Sequence, residues 1–224
     1  MQKLSNHLCT IEITEDPTYT VDSVDNRSYD RVLNPRGYRR SHFTRTFSIR
    51  IELPDGARTY ALIGEGCAVA SDCAVLEEDE LLVLQNRDLT RIAVADGQVL
   101  SYIRLDRFGM LNAIYPLPDG YLVVGELKVF RLDRDFQEKW SYGAHGVIIS
   151  WRMQEDHILL WEEETTYGMN AKTNEVKLGF DGRALVEGQP EEAAMPPVEP
   201  RRSGAGKKSN LWQRLYQWLR GSRR

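Results

Sequence analysis

Three apolar quartets, Leu81-Leu82-Val83-Leu84, Tyr121-Leu122-Val123-Val124 and Ile158-Leu159-Leu160-Trp161, begin 40 and then 37 residues apart. Each follows an acidic turn: Asp79-Glu80, Asp119-Gly120 or Asp156-His157. Short aliphatic runs bounded by turn formers read as buried strands. Recurrence at a near-constant spacing means one supersecondary unit used several times, because such a unit buries its apolar faces only by stacking on copies of itself. A further strand is expected after each quartet, over Arg91–Val94, Lys128–Leu132 and Thr166–Met169. Another closes each repeat after a polar turn, within residues 96–101, 135–140 and 173–178.

A period of 37 to 40 residues with about four strands is the size of a propeller blade. Residues 167–178, Tyr-Gly-Met-Asn-Ala-Lys-Thr-Asn-Glu-Val-Lys-Leu, resemble the blade segment of quinoprotein-type (PQQ-like) and WD40-like propellers. That segment ends a strand in Asp-Ala-x-Thr-Gly and opens the next with Glu-Val-x-Trp. Val129–Trp140 is similar with one residue fewer and supplies the closing Trp140. The resemblance covers residues 65–180. Gly-His and Trp-Asp signatures are missing, and Asn170 and Asn174 stand where Asp and Gly are usual. It implies an all-β fold, a small or incomplete propeller-like stack of four-stranded blades. It carries over no cofactor-binding position, so no quinone is implied, and blades of this kind serve enzymes, scaffolds and receptors alike.

Residues 1–64 should form irregular strands. Phe47–Ile51 and Arg58–Leu62 around Pro54-Asp55-Gly56 read as a hairpin, with edge strands expected over Cys9–Ile13 and Tyr19–Val24. With three repeats this gives either a four-bladed ring or an open arc. Exposed sheet edges invite association, so an open arc would need its ends covered, by the N-terminal region or by a second copy. Cys9, Cys67 and Cys73 are odd in number and lack a second pair for zinc, which fits reduced, buried thiols.

The net charge of −4 averages two unlike parts. Residues 187–224 carry eight bases against four acids, and residues 1–186 carry 21 against 29. The division expected is a repeat body over 1–186, a Pro- and Gly-rich disordered linker over 187–209 and a helix over 210–221. On a helical wheel Leu211, Trp212, Leu215, Tyr216, Trp218 and Leu219 fall within about 160°, with Asn210, Gln213, Arg214, Gln217 and Arg220 opposite. Eleven residues make a marginal helix in water, so this one should form when its apolar face meets a surface. Three surfaces suit it: its own body, a groove on a partner protein, or an anionic membrane that receives the two Trp and Leu side chains while Lys207, Lys208, Arg214 and Arg220 meet head groups.

Among residues 27–45 stand six arginines, including Arg36, Arg39 and Arg40, with Tyr29, Tyr38 and Phe43 interleaved. Such a loop can hold phosphate or single-stranded nucleic acid. Nucleic acid is disfavoured by the acidic body, whose Glu77–Glu80 and Glu162–Glu164 runs offer internal partners instead. For catalysis there is no glycine-rich phosphate loop, no Gly-x-Ser-x-Gly and no paired histidine spacing; His7, His42, His145 and His157 are scattered. The expectation is a non-catalytic interaction module without metal or cofactor. The alternative is a propeller-type hydrolase or lyase whose site gathers from several blades. Residues 1–9 lack an apolar run of about 7–15 residues, and no window reaches the about 20 apolar residues of a spanning helix. A cytosolic chain is therefore expected, either free or peripheral on the inner membrane surface.

Overall fold

The computed structural model describes residues 1–66, 68–107, 109–164 and 172–187. The chain divides into two units, Met1–Pro190 and Glu191–Arg224, and the fold described is that of the first. The helix expected over 210–221, the linker beyond Glu187 and the strand expected over Thr166–Met169 lie outside the described residues.

Seventeen strands form four sheets among the described residues. The first contains β1 (Gln2–Ser5), β2 (Thr10–Glu15), β3 (Arg31–Leu33), β4 (Thr44–Leu53) and β5 (Gly56–Glu65), in the order β1-β2-β4-β5-β3. The second is β6 (Ala74–Glu77), β7 (Glu80–Gln85), β8 (Asp88–Ala93) and β9 (Val99–Arg104). The third is β10 (Leu111–Leu117), β11 (Gly120–Gly125), β12 (Lys128–Leu132) and β13 (Glu138–Gly143). The fourth is β14 (Val147–Met153), β15 (His157–Glu164), β16 (Lys172–Gly179) and β17 (Ala184–Glu187). The last three are four-stranded antiparallel meanders in chain order, which is blade topology.

The quartets are the second strand of each sheet, β7, β11 and β15. The acidic turns join them to a first strand that the sequence period does not display. In the second sheet Glu77 pairs with Glu80 and Gln85 with Asp88, so two-residue turns bracket β7, with Glu78 and Asn86 at positive φ of 48° and 59°. Asn tolerates this left-handed conformation well, which suits such hairpins.

Two expectations need correction. Residues 173–178 were expected to match the closing strands of the other repeats, yet β16 pairs with β15 residue by residue from His157↔Gly179 to Glu164↔Lys172. It is the counterpart of β8 and β12, and the closing strand is β17. The backbone bonds at the last turn of each sheet show the same equivalence: Ala93 N to Gln98 O, Asp133 N to Gln137 O and Gly179 N to Arg183 O. Two residues join β11 to β12, whereas seven separate β15 from β16, which shifts the final repeat out of step. At the N-terminus, the strand expected at an edge is β2, held between β1 and β4, and Tyr19–Val24 is a series of turns.

Burial explains the stacking. Leu81–Leu84 of β7 and Tyr121–Val124 of β11 are at most 2% exposed, so both faces of the middle sheets are covered. The third sheet sends Ile114, Tyr121, Val123, Phe130 and Leu132 into a core shared with the first two sheets. Its alternate residues Ala113, Leu122, Val124 and Val129 join Ile148, Ile158, Leu160, Val176 and Leu178 of the fourth. Alternation along a strand feeds two cores from one sheet. In β15 only every second residue is buried: Ile158, Leu160 and Glu162 are covered, while Leu159, Trp161 and Glu163 are partly exposed. In the first sheet Ile11, Ile13, Phe47, Ile49, Ile51 and Leu62 enter the shared core. Its opposite, polar face is met by the 16–30 loop, where Arg27 bonds Ser48 (3.1 Å) and Asp30 bonds Thr59. Bonds between sheets among the described residues run from first to second, second to third and third to fourth. Among the described residues the arrangement is a propeller-like stack of four sheets in chain order.

Gly120 opens β11 at φ 145°, where a Cβ would collide with the backbone of Leu132 and Asp133. Gly120→Ala should cost at least about 1–3 kcal/mol in urea denaturation from the backbone conformation alone. Gly143→Ala, which meets open space at a strand end, should leave stability within about 0.5 kcal/mol of the parent.

Candidate functional site

Polar groups of the stack gather at its junctions, and each junction is held by a tyrosine donating to a carboxylate or by a tryptophan donating to oxygen. Between second and third sheets the Tyr121 hydroxyl donates to Glu77 at 2.5 Å, and Arg134 reaches the same Glu77 oxygen at 2.5 Å while lying 5.5 Å over the Tyr121 ring. Arg91 pairs with Glu80 (3.4 Å), donates to the Arg134 carbonyl and stacks 4.4 Å over Phe136. Phe136 sits at φ 63°, an unfavourable place for an aromatic residue. Its ring is nonetheless buried edge-on against Tyr121 at 5.8 Å, contacts that offset the backbone strain.

A second chain of bonds crosses three sheets: Trp151 Nε1 donates to the Tyr115 hydroxyl (2.8 Å), which donates to Asp72 (3.0 Å). Backbone bonds flank it, from Ile114 N to Asp72 O (2.8 Å), Leu111 N to Asn86 O (2.7 Å) and Ile148 N to Glu126 O (2.8 Å). Burial pushes the Tyr115 phenol up to about 12, and the Asp72 charge adds to this. Burial first and Glu77 second also raise Tyr121. The phenols therefore stay protonated as donors; they are not poised as bases.

Between first and second sheets, Tyr38 donates to Asp88 Oδ2 (2.5 Å) and Arg36 faces Asp88 Oδ1 at 3.7 Å. Burial, then the bond to Asp88, raises Tyr38 well above its ordinary value. Tyr60 donates to Val94 O (3.1 Å), and Gln2 bridges Ala74 O (2.9 Å) and Cys73 Sγ (3.1 Å). Burial pushes the Cys73 thiol up to about 11, which makes it a packed, unreactive group.

A cavity of about 310 Å³ opens beside Leu117, Asp119, Arg131, Lys139, Trp140 and Phe180. Arg131, almost fully buried, and Lys139 both meet Asp119, and Trp140 Nε1 donates to Phe180 O (3.0 Å). The bond from Lys139 holds the Asp119 carboxyl below its usual range. Two cations are here satisfied by one carboxylate and backbone oxygens, so the walls are matched among themselves. His145 donates its backbone N–H to the buried Glu162 (3.0 Å), and His157 contacts Asp156. No group of three or more His, Cys, Asp or Glu residues is placed to hold a metal among the described residues.

Of the arginines singled out in the sequence, Arg36 leans on Asp88 and lies 5.9 Å over Tyr38. Arg39 and Arg40 are exposed in the same loop. Leu211, Trp212, Leu215, Trp218, Leu219, Lys207, Lys208, Arg214 and Arg220 lie outside the described residues. Sequence reading missed Tyr38, Tyr115 and Tyr121 as rivets, because a buried tyrosine carries no local signature of its partner.

No family model matches the chain, and no curated protein matches it in sequence. Solved structures do. The WD40 domain of Pan2 from Neurospora crassa is 16% identical, with a TM-score of 0.40 over 61% of this chain and 46% of that one. BamB from Moraxella catarrhalis is 10% identical, with a TM-score of 0.44 over 70% and 52%. A protein of unknown function from Bacteroides caccae is 12% identical, with a TM-score of 0.39 over 71% and 81%. The chain spans about half the length of the first two. The likeness is one of fold alone. The blades are identified by their own antiparallel four-stranded order.

Tyr115→Phe should cost about 2 kcal/mol, since it leaves the Trp151 N–H and Asp72 without their shared partner. Tyr121→Phe should cost about 1 kcal/mol, because Arg134 still covers Glu77. A phenol whose folded pKa lies above its unfolded value stabilises the fold below about pH 10 and ceases to as pH rises through the folded value. Urea midpoints should accordingly fall between pH 10 and 12, and Tyr115→Phe should lessen the fall.

Proposed function

We propose that the chain is a non-catalytic interaction module: a stack of blades that carries a basic amphipathic helix for docking on an anionic membrane surface or a partner protein. One observation in the body supports this most. The groups an active site would draw on, Asp72, Glu77, Asp88, Tyr38, Tyr115 and Tyr121, are engaged in bonds between sheets. Protonated phenols and paired carboxylates make a scaffold rigid; they leave little to act on a substrate.

The docking element is the C-terminal sequence. Two tryptophans and three leucines share one helical face, with Lys207, Lys208, Arg214 and Arg220 around it and no acid after Glu199. At an anionic bilayer each base adds about 1 kcal/mol, and the apolar face adds its own burial. The attraction is screened within a Debye length, so binding by this route weakens with salt. A cytosolic chain held peripherally on the inner membrane surface is the setting this reading requires.

Co-sedimentation with phosphatidylserine-containing vesicles tests it. The full chain should bind, and Trp212→Ala with Trp218→Ala should weaken binding by at least about tenfold, since two interfacial aromatic contacts are removed. Deletion of residues 188–224 should abolish it. Equal and negligible binding by the full and deleted chains would exclude the membrane and leave a protein groove as the docking surface.

A further inference from the structure

Three segments far apart in sequence bring arginines to one end of the first and second sheets. The 34–45 loop is tied to β8 by the Tyr38–Asp88 and Arg36–Asp88 contacts. Arg87, in the turn before β8, donates to the Arg107 carbonyl (2.6 Å) and lies 3.7 Å from Glu65. Arg104 is the cross-strand partner of Asp88, and its Nε reaches the Asp106 carbonyl at 3.4 Å. Arg36, Arg39, Arg40, Arg87, Arg104 and Arg107 thus share a neighbourhood whose acids are Glu65, Asp88 and Asp106. Arg36, Arg39, Arg40 and Arg107 are exposed, whereas Asp88 and Asp106 are buried and Glu65 is half-buried, so the groups that meet solvent here are mainly cationic on a body that is otherwise acidic.

The remaining loop arginines are committed elsewhere: Arg27 to Asp16, Arg31 to the Asp96 carbonyl and Arg45 to Glu15. Among the described residues Arg39 and Arg40 have no acidic partner. The loop that presents them is fixed. The Asn34 side chain bonds both N and O of Tyr38, Thr44 Oγ1 donates to the Arg39 carbonyl, and Gly66 N donates to Phe43 O. Phe43 is 63% exposed at the rim. Beside Asp88 and Arg36 the Tyr102 phenol is pushed up to about 12 by burial first and by Asp88 second, so it stays protonated under the loop.

We propose that this face is an anion site for a compact ligand with clustered phosphates. Guanidinium forks match phosphate oxygens, and several of them from a fixed loop and a hairpin hold a multiply charged group better than a single charge. A long polyanion is disfavoured, because the Glu77–Glu80 and Glu162–Glu164 runs would repel the rest of it. The phosphate can come from a free ligand or from a lipid headgroup. This inference stands apart from the C-terminal helix.

Calorimetric titration of the full chain with inorganic pyrophosphate at low ionic strength, and binding to phosphatidylcholine vesicles with and without phosphatidylinositol phosphate, test the site. Arg39→Glu with Arg40→Glu should weaken whichever probe binds by at least about tenfold. Lys3→Glu with Arg183→Glu, an equal change of charge at exposed positions elsewhere, should alter it by less than about twofold. Lys207→Ala with Lys208→Ala should likewise leave pyrophosphate binding in place. Pyrophosphate binding lost in the first variant identifies a free phosphate ligand. Vesicle binding lost there, and weakened by Phe43→Ser, without pyrophosphate binding identifies a headgroup. The inference is overturned if neither probe binds, or if the control pair weakens binding as much as Arg39→Glu with Arg40→Glu does.

Discussion

The middle sheets are apolar on both faces, and every other feature of the body follows from the need to cover them. A four-stranded sheet whose second strand reads Leu-Leu-Val-Leu or Tyr-Leu-Val-Val cannot stand in water alone. The third sheet meets this by feeding two cores with alternate residues of the same strands. Packing of that kind brings polar strand ends and turns into contact at the margins. There an unpaired hydroxyl or carboxylate would cost more than a bond would gain. The tyrosine–carboxylate contacts at Asp72, Glu77 and Asp88 answer that requirement, and in doing so they fix each sheet against the next.

The ends of the stack solve the same problem differently. The first sheet turns a polar face outward and lays its own 16–30 loop over it, with Asp16 accepting bonds from Thr18, Tyr19 and Tyr29. Burial would raise the Asp16 carboxyl, but those bonds hold it below its usual range. The fourth sheet changes its pattern to alternation, so that one face carries Ile158, Leu160 and Val176 and the other mixes Leu159 and Trp161 with Glu163 and Lys177. Runs buried on both faces in the middle and alternating strands at the end are how a finite stack is written in sequence.

This explains what could be read without a structure. The quartets of β7 and β11 were legible because burial on both faces leaves an unbroken apolar run. The first strand of each sheet was not, since Leu111–Leu117 and Val147–Met153 mix polar and apolar residues without a run or a clear alternation. The last repeat falls out of step because the residue types around 167–178 mimic a closing hairpin that the pairing of β15 with β16 rules out. Among candidate site residues, the loop carrying Arg36, Arg39 and Arg40 was visible as a cluster. Arg87, Arg104 and Arg107 were not, because only the β8–β9 register and the hairpin turn bring them to the same end.

The account makes the body one cooperative unit held at its junctions, and native-state hydrogen exchange addresses this most directly. The amides of Leu111, Ile114 and Ile148, which donate across sheets, should be as protected as mid-strand amides such as Val123 and Leu160. Exchange of the three junction amides at loop rates, with the strand interiors still protected, would show sheets that fold separately and would contradict it.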